Sequence, residues 1–151
     1  MNVTIRQMTI EDYDQVLTLW TAMAGIGLNE SDSREGIQRF LDRNPGLSLV
    51  AEENDSIIGT ILCGHDGRRG YLHHLAVSPL RRRQGLGMQL VHVCLDRLRS
   101  EGIPRCNIFL LADNPSGREF WKVAGYKARP DLLVMQRGTA SAQIPDPCRN
   151  C

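Results

Sequence analysis

Two glycines one residue apart, behind three consecutive arginines, constrain this chain more than any other feature. Leu75-Ala76-Val77-Ser78-Pro79-Leu80 reads as the end of an apolar strand, Arg81-Arg82-Arg83-Gln84-Gly85-Leu86-Gly87 as a basic turn, and residues 88–99 as an amphipathic helix. Gly85 and Gly87 carry no Cβ, so the backbone can turn sharply there and its N–H groups can approach a bulky anion. The first amides of a helix are unpaired and sit at the positive end of its dipole, which suits phosphate. The arginines add mobile charge, matching a ligand with several phosphates better than one with a single carboxylate. No Gly-Lys-Ser/Thr follows, so the turn is not a P-loop, and Leu90 stands where a dinucleotide fingerprint has its third glycine.

What the stretch resembles is motif A of the GNAT superfamily of N-acetyltransferases, Arg/Gln-x-x-Gly-x-Gly/Ala, written here as Arg82-x-x-Gly85-x-Gly87 after Leu-Ala-Val-Ser-Pro. In that family the turn amides hold the pyrophosphate of acetyl-CoA. The resemblance therefore implies that Arg82, Arg83, Gln84, Gly85, Leu86, Gly87 and Met88 do so here, with acetyl-CoA as co-substrate.

The flanking pattern predicts an α/β (α+β) domain over residues 1–137 and a tail over 138–151. Val3, Ile5 and Gln7 alternate as a first strand, and Thr9 stands before acidic residues as an N-cap for a helix ending at Gly25. Ser31 or Ser33 caps a second helix that runs to Leu41. Residues 47–52, 57–63 and 71–77 form an antiparallel meander. The helix from Gly85 to Glu101 then crosses over to a strand at residues 106–111, parallel to 71–77. Asn114-Pro115 opens a last helix, ending before Gly125, and residues 126–128 and 132–137 read as a final pair of short strands. The prediction is thus a mixed, mostly antiparallel sheet of about six to seven strands with a central parallel pair and about four helices, the GNAT order.

Charge and composition remove other classes. Eighteen basic against 17 acidic residues leave a formal charge of +1, which argues against nucleic acid as partner. No apolar run approaches the roughly 20 residues needed to cross a bilayer, so no membrane partner is expected and the default location is cytoplasmic. Cys63, Cys94 and Cys106 lie in apolar stretches as free thiols, and Cys148-x-x-Cys151 at the very end is too sparse for a metal site, so no metal is expected.

The same stretch of strand offers catalytic candidates. Side chains alternate across a strand, so His73 and His74 are expected to face opposite sides. A neutral imidazole can take a proton from an alkylammonium near neutral pH. His73 is the candidate base, on the resemblance to serotonin N-acetyltransferases, which carry a histidine two residues before the same Leu-Ala-Val. The family likeness further implies that Leu75, Ala76 and Val77 line the pantetheine arm, with a backbone N–H near Leu75 polarising the thioester carbonyl. Asn114-x6-Trp121-x3-Gly125-Tyr126 resembles the family's Asn-x6-Tyr-x3-Gly-Phe segment, implying that Asn114 and Trp121 contact the cofactor. Trp121 replaces the tyrosine that protonates the departing thiolate in many relatives, and an indole cannot do that. Tyr126 is the fallback acid. Glu30, Asp32 and Glu35 form an acidic group in the segment that lines the acceptor pocket of relatives, although acidic residues also suit a solvated helix start.

The expected reaction is acetyl transfer to a primary amine, a small molecule or amino acid in preference to a protein N-terminus or lysine. A non-catalytic acyl-CoA-binding module and a homodimer remain open alternatives.

Overall fold

The computed structural model describes residues 2–140, and the Cys148-x-x-Cys151 motif lies outside them. Five strands form one sheet in sequence order: β1 (Thr4–Gln7), β2 (Leu49–Glu53), β3 (Ser56–His65), β4 (Gly70–Val77) and β5 (Cys106–Ile108). The first four run antiparallel, and β5 lies parallel to β4. The β2–β3 hairpin turns on Asn54 and Asp55, both at positive φ (52° and 64°), the two-residue geometry that matches strand twist.

Four helices cover the sheet: α1 (Tyr13–Thr21), α2 (Arg34–Arg43), α3 (Leu86–Ser100) and α4 (Pro115–Val123). A 3₁₀ turn, Ile10–Asp12, leads into α1, and Asp12 Oδ2 accepts the Thr9 N–H at 2.8 Å. Ser33 Oγ caps α2 by accepting the Gly36 N–H at 3.1 Å. Strand alternation sorts the core into two layers. Leu49 and Ala51 of β2 pack with Leu90, Val91, Cys94 and Leu98 of α3, while Val50 between them packs with Val16, Leu19 and Trp20 of α1 and Ile37 of α2.

Two expectations from the sequence need correction. β5 stops at Ile108 rather than reaching residue 111, because β4 and β5 pair only at Gly70↔Cys106, Tyr71↔Asn107 and Leu72↔Ile108. The final pair of strands is absent among the described residues. Residues 132–135 are an apolar run, Leu-Leu-Val-Met, but a strand needs a neighbour to complete its hydrogen bonds. Here Leu132 N–H closes a turn onto Arg129 C=O, and Leu133 and Met135 are each 90 % exposed. Among the described residues the sheet therefore has five strands, not six or seven.

Candidate active site

β4 is the strand on which the candidate site is built, and its pairing with β3 contains a β-bulge. Thr60 pairs with Ala76 and Leu62 with His73, so one residue of β3 stands opposite two of β4. His74 lies inside this irregularity with φ of +51°, a left-handed conformation that costs a non-glycine residue about 1–3 kcal/mol. The extra residue reverses which face each side chain meets. Leu72 packs in the α3 layer, whereas Ala76, four residues on, packs in the α1–α2 layer. Strict alternation, which would have sent His73 and His74 to opposite faces, therefore fails. Both rings lie on the cleft side, with centroids 6.5 Å apart.

The bulge also falls where β4 leaves β5. Ser78 N–H donates to Ile58 C=O at 2.8 Å, toward β3. Amides alternate in direction along a regular strand, so that of Val77, next to Ser78, faces the side that β5 has vacated. Consistent with this, Arg82 Nε donates to Val77 C=O at 3.4 Å across that open edge.

At the end of β4 a 3₁₀ turn, Pro79–Arg81, leads to Arg83 at φ +64° and Gly85 at φ +78°. No side chain caps α3, and its first backbone bond runs from Gln89 N–H to Gly85 C=O. The amides of Leu86, Gly87 and Met88 thus have no acceptor among the described residues, at the positive end of a 15-residue helix. Gly87 is informative. A Cβ built there would meet the Phe120 ring at 3.5 Å and Val77 Cγ2 at 3.7 Å, both ordinary contacts, so the chain itself does not require glycine at this position. Arg81 donates to Glu53, while Arg82 and Arg83 are exposed.

The two histidines differ in surroundings. His73 packs face to face with Tyr71 and Phe109, at centroid distances of 6.1 and 6.0 Å, and edge-on to Phe40 at 6.1 Å. Burial, and secondarily the charge of His74, hold its pKa below the ordinary histidine value, against a smaller opposing pull from Asp32. His74 packs edge-on against Trp20 at 4.9 Å, and its Nε2 bonds Asp32 Oδ1 at 2.8 Å. Asp32 is 8 % exposed. It is a buried partner, not the solvated residue that its place near a helix start suggested.

α4 forms the other wall. Asn114 Oδ1 accepts the Gly117 N–H at 3.0 Å as N-cap, and its Nδ2 lies 3.2 Å from where a Cβ on Gly25 would stand. Its amide N–H₂ makes no hydrogen bond among the described residues and is available as a donor. Trp121 is packed between Phe120 and Tyr126, with ring centroids at 5.1 and 5.0 Å. The Tyr126 hydroxyl is buried without a hydrogen-bond partner, and burial, followed by the neighbouring Cys106 thiol, pushes its pKa above the ordinary tyrosine range.

One cleft of about 2430 Å³ joins these parts, and every candidate residue from the sequence except Gln84 lines it. Glu30, Asp32 and Glu35 line it too. The cleft combines an anion-seeking turn, a strand edge that β5 leaves unpaired and two imidazoles. The Asp32 partnership was illegible in the sequence, since it joins residues 42 positions apart.

Known proteins share this fold. The profile of the acetyltransferase (GNAT) family matches residues 13–126. Acetyltransferase SG1711 of Sodalis glossinidius is 29% identical over 131 residues, covering 87% of this chain and 92% of that protein. Acetyltransferase YPTB2753 of Yersinia pseudotuberculosis is 29% identical over 133 residues, 88% and 94% of the two chains. Among solved structures, the PaiA N-acetyltransferase of Thermoplasma acidophilum in complex with coenzyme A aligns with a TM-score of 0.75 at 22% identity, covering 85% of this chain and 92% of that one. A predicted acetyltransferase of Clostridium acetobutylicum with acetyl-CoA aligns at 0.72 and 18% identity, covering 89% and 96%. The chain belongs to the acetyltransferase (GNAT) family, acyl-CoA-dependent N-acetyltransferases whose co-substrate is acetyl-CoA.

Proposed function

We propose that this protein transfers the acetyl group of acetyl-CoA to the primary amine of a small molecule or amino acid by direct attack, without a covalent enzyme intermediate. The observation that carries this reading is the pair of imidazoles on the β4 bulge, beside the free edge at Leu75 and Val77. The amides of Leu86, Gly87 and Met88 hold the pyrophosphate, with Arg82 and Arg83 supplying charge. The outward-facing amides of β4 pair with the pantetheine arm as an added strand would, and Asn114 Nδ2 donates to it.

His73 takes the proton that an ammonium must lose before it can attack. A base with a depressed pKa stays neutral, and so competent, throughout the neutral range. The Leu75 N–H stabilises the oxyanion that forms on the thioester carbonyl. Trp121 shapes the site and donates no proton. Tyr126, with its hydroxyl buried against Cys106, packs rather than protonates, and the thiolate leaves without a dedicated side-chain acid, since a thiol of pKa near 8.5 is a tolerable leaving group. Wild-type protein with acetyl-CoA, screened for thiol release against amines, amino acids and lysine peptides, tests the reading. Turnover with small amines is expected; turnover with peptides alone would reassign the acceptor, and tight acetyl-CoA binding without turnover would leave a binding module.

A further inference from the structure

Asp32 has three commitments, and only two of them hold its own segment together. Its Oδ2 accepts the Asn29 N–H at 3.0 Å, and its backbone carbonyl accepts the Tyr13 hydroxyl at 2.6 Å, fixing the 3₁₀ turn Glu30–Asp32 onto α1. Any small polar acceptor would serve for that cap. The third commitment leaves the turn, since Oδ1 reaches across to His74 Nε2 at 2.8 Å. The side chains are only 10% and 18% exposed, so this is not a loose surface pair.

The chemistry of the bond fixes the histidine. An ionised carboxylate only accepts, so the shared hydrogen belongs to His74 Nε2. His74 Nδ1 is then the one ring atom left to gain or lose a proton, and no described residue bonds it. The groups packed around the ring are Trp20 of α1 and His73 of β4, and Tyr13, whose hydroxyl bonds the Asp32 carbonyl, carries Arg34 over its ring and feels the charges of Asp32, Glu35 and Asp14. The backbone at His74 is left-handed, with φ of +51°, and its ring lines the cleft.

We propose that Asp32 is a positioning residue for acetyl transfer, holding His74 in its Nε2–H tautomer so that His74 Nδ1 serves beside His73 as a second proton acceptor for the amine. The inference rests on the acetyl-transfer reading above. The balance of the reaction calls for two deprotonations. The nitrogen enters as ammonium, loses one proton before it attacks, forms the C–N bond, and loses a second as the C–S bond breaks. One proton finishes on the thiol sulfur and the other in solvent. Two imidazoles on one face give each deprotonation its own acceptor.

Asp32→Asn separates positioning from structure. The asparagine oxygen still caps Asn29, but its N–H₂ now faces His74 Nε2 and drives the ring hydrogen to Nδ1. Long-range ¹H–¹⁵N spectra are expected to show His74 protonated on Nε2 in the wild type and on Nδ1 in Asp32→Asn. With acetyl-CoA and a panel of phenylethylamine, glycine and a lysine peptide, kcat should fall roughly 10²-fold while acetyl-CoA affinity stays within about twofold. His74→Gln keeps a donor for Asp32 but has no titratable nitrogen. It should lose as much, and the double variant should lose no more than either single one. Wild-type kcat within about threefold in both single variants, or a wild-type ring already protonated on Nδ1, would overturn the proposal. A wild type that acetylates no amine would instead defeat the acetyl-transfer reading, and the spectra alone would still decide whether Asp32 sets the tautomer.

Discussion

Arg81 donates through Nη2 to Glu53 Oε1 on β2, and Glu53 is only 7 % exposed. The first arginine of the basic turn is therefore a strut that ties the turn to the sheet, whereas Arg82 and Arg83 stay at the surface of the cleft. Removing one partner of a buried ion pair leaves the other charge uncompensated. Arg81→Ala should destabilise the fold by about 2 kcal/mol, less than for a fully enclosed pair because the Arg81 side chain is 26% exposed. Arg83→Ala should leave the melting temperature unchanged and weaken acetyl-CoA binding. Thermal melts and calorimetry on the two variants check the division; equal melting temperatures would refute it.

The pH profile reports His73. Burial favours its neutral form, so its folded pKa lies below the ordinary value of 6.5. The acid limb of kcat/KM should accordingly fall below pH 6.5, with activity lost as pH drops through the folded pKa. The same depression means that His73 contributes stability above the unfolded value and loses it as pH falls. His73→Ala should cost roughly 10²-fold in kcat, with acetyl-CoA affinity retained. An acid limb unchanged in His73→Ala would assign it to another group.

Tyr126 and Trp121 give a test by absence of effect. A hydroxyl buried without a partner contributes nothing to stability, so Tyr126→Phe should be neutral or slightly stabilising and should keep kcat. Trp121→Phe should keep most of kcat, with any loss in KM. A large fall in kcat for Tyr126→Phe, accompanied by loss of an alkaline limb, would make Tyr126 the acid.

What the sequence made legible is what depends on neighbours in sequence. The glycine turn, the Asn114 cap and the order of strands and helices are local chemistry, and the sheet carries the expected meander and parallel pair. The facing of His73 and His74 is not legible within β4, because the bulge comes from register against β3. Asp32 looked like an ordinary acidic residue near a helix start until the fold brought His74 to it. Residues 132–135 have a strand's composition and are exposed all the same, because composition cannot say whether a neighbouring strand is within reach.

Calorimetry of acetyl-CoA binding to Gly87→Val tests whether the turn from Arg82 to Met88 holds the pyrophosphate of acetyl-CoA. A Cβ at this position would make only ordinary contacts with Phe120 and Val77, so the variant should fold, while its side chain would crowd the approach to the helix amides. The account predicts at least tenfold weaker binding, about 1.4 kcal/mol. A folded Gly87→Val that binds acetyl-CoA with wild-type affinity would contradict it.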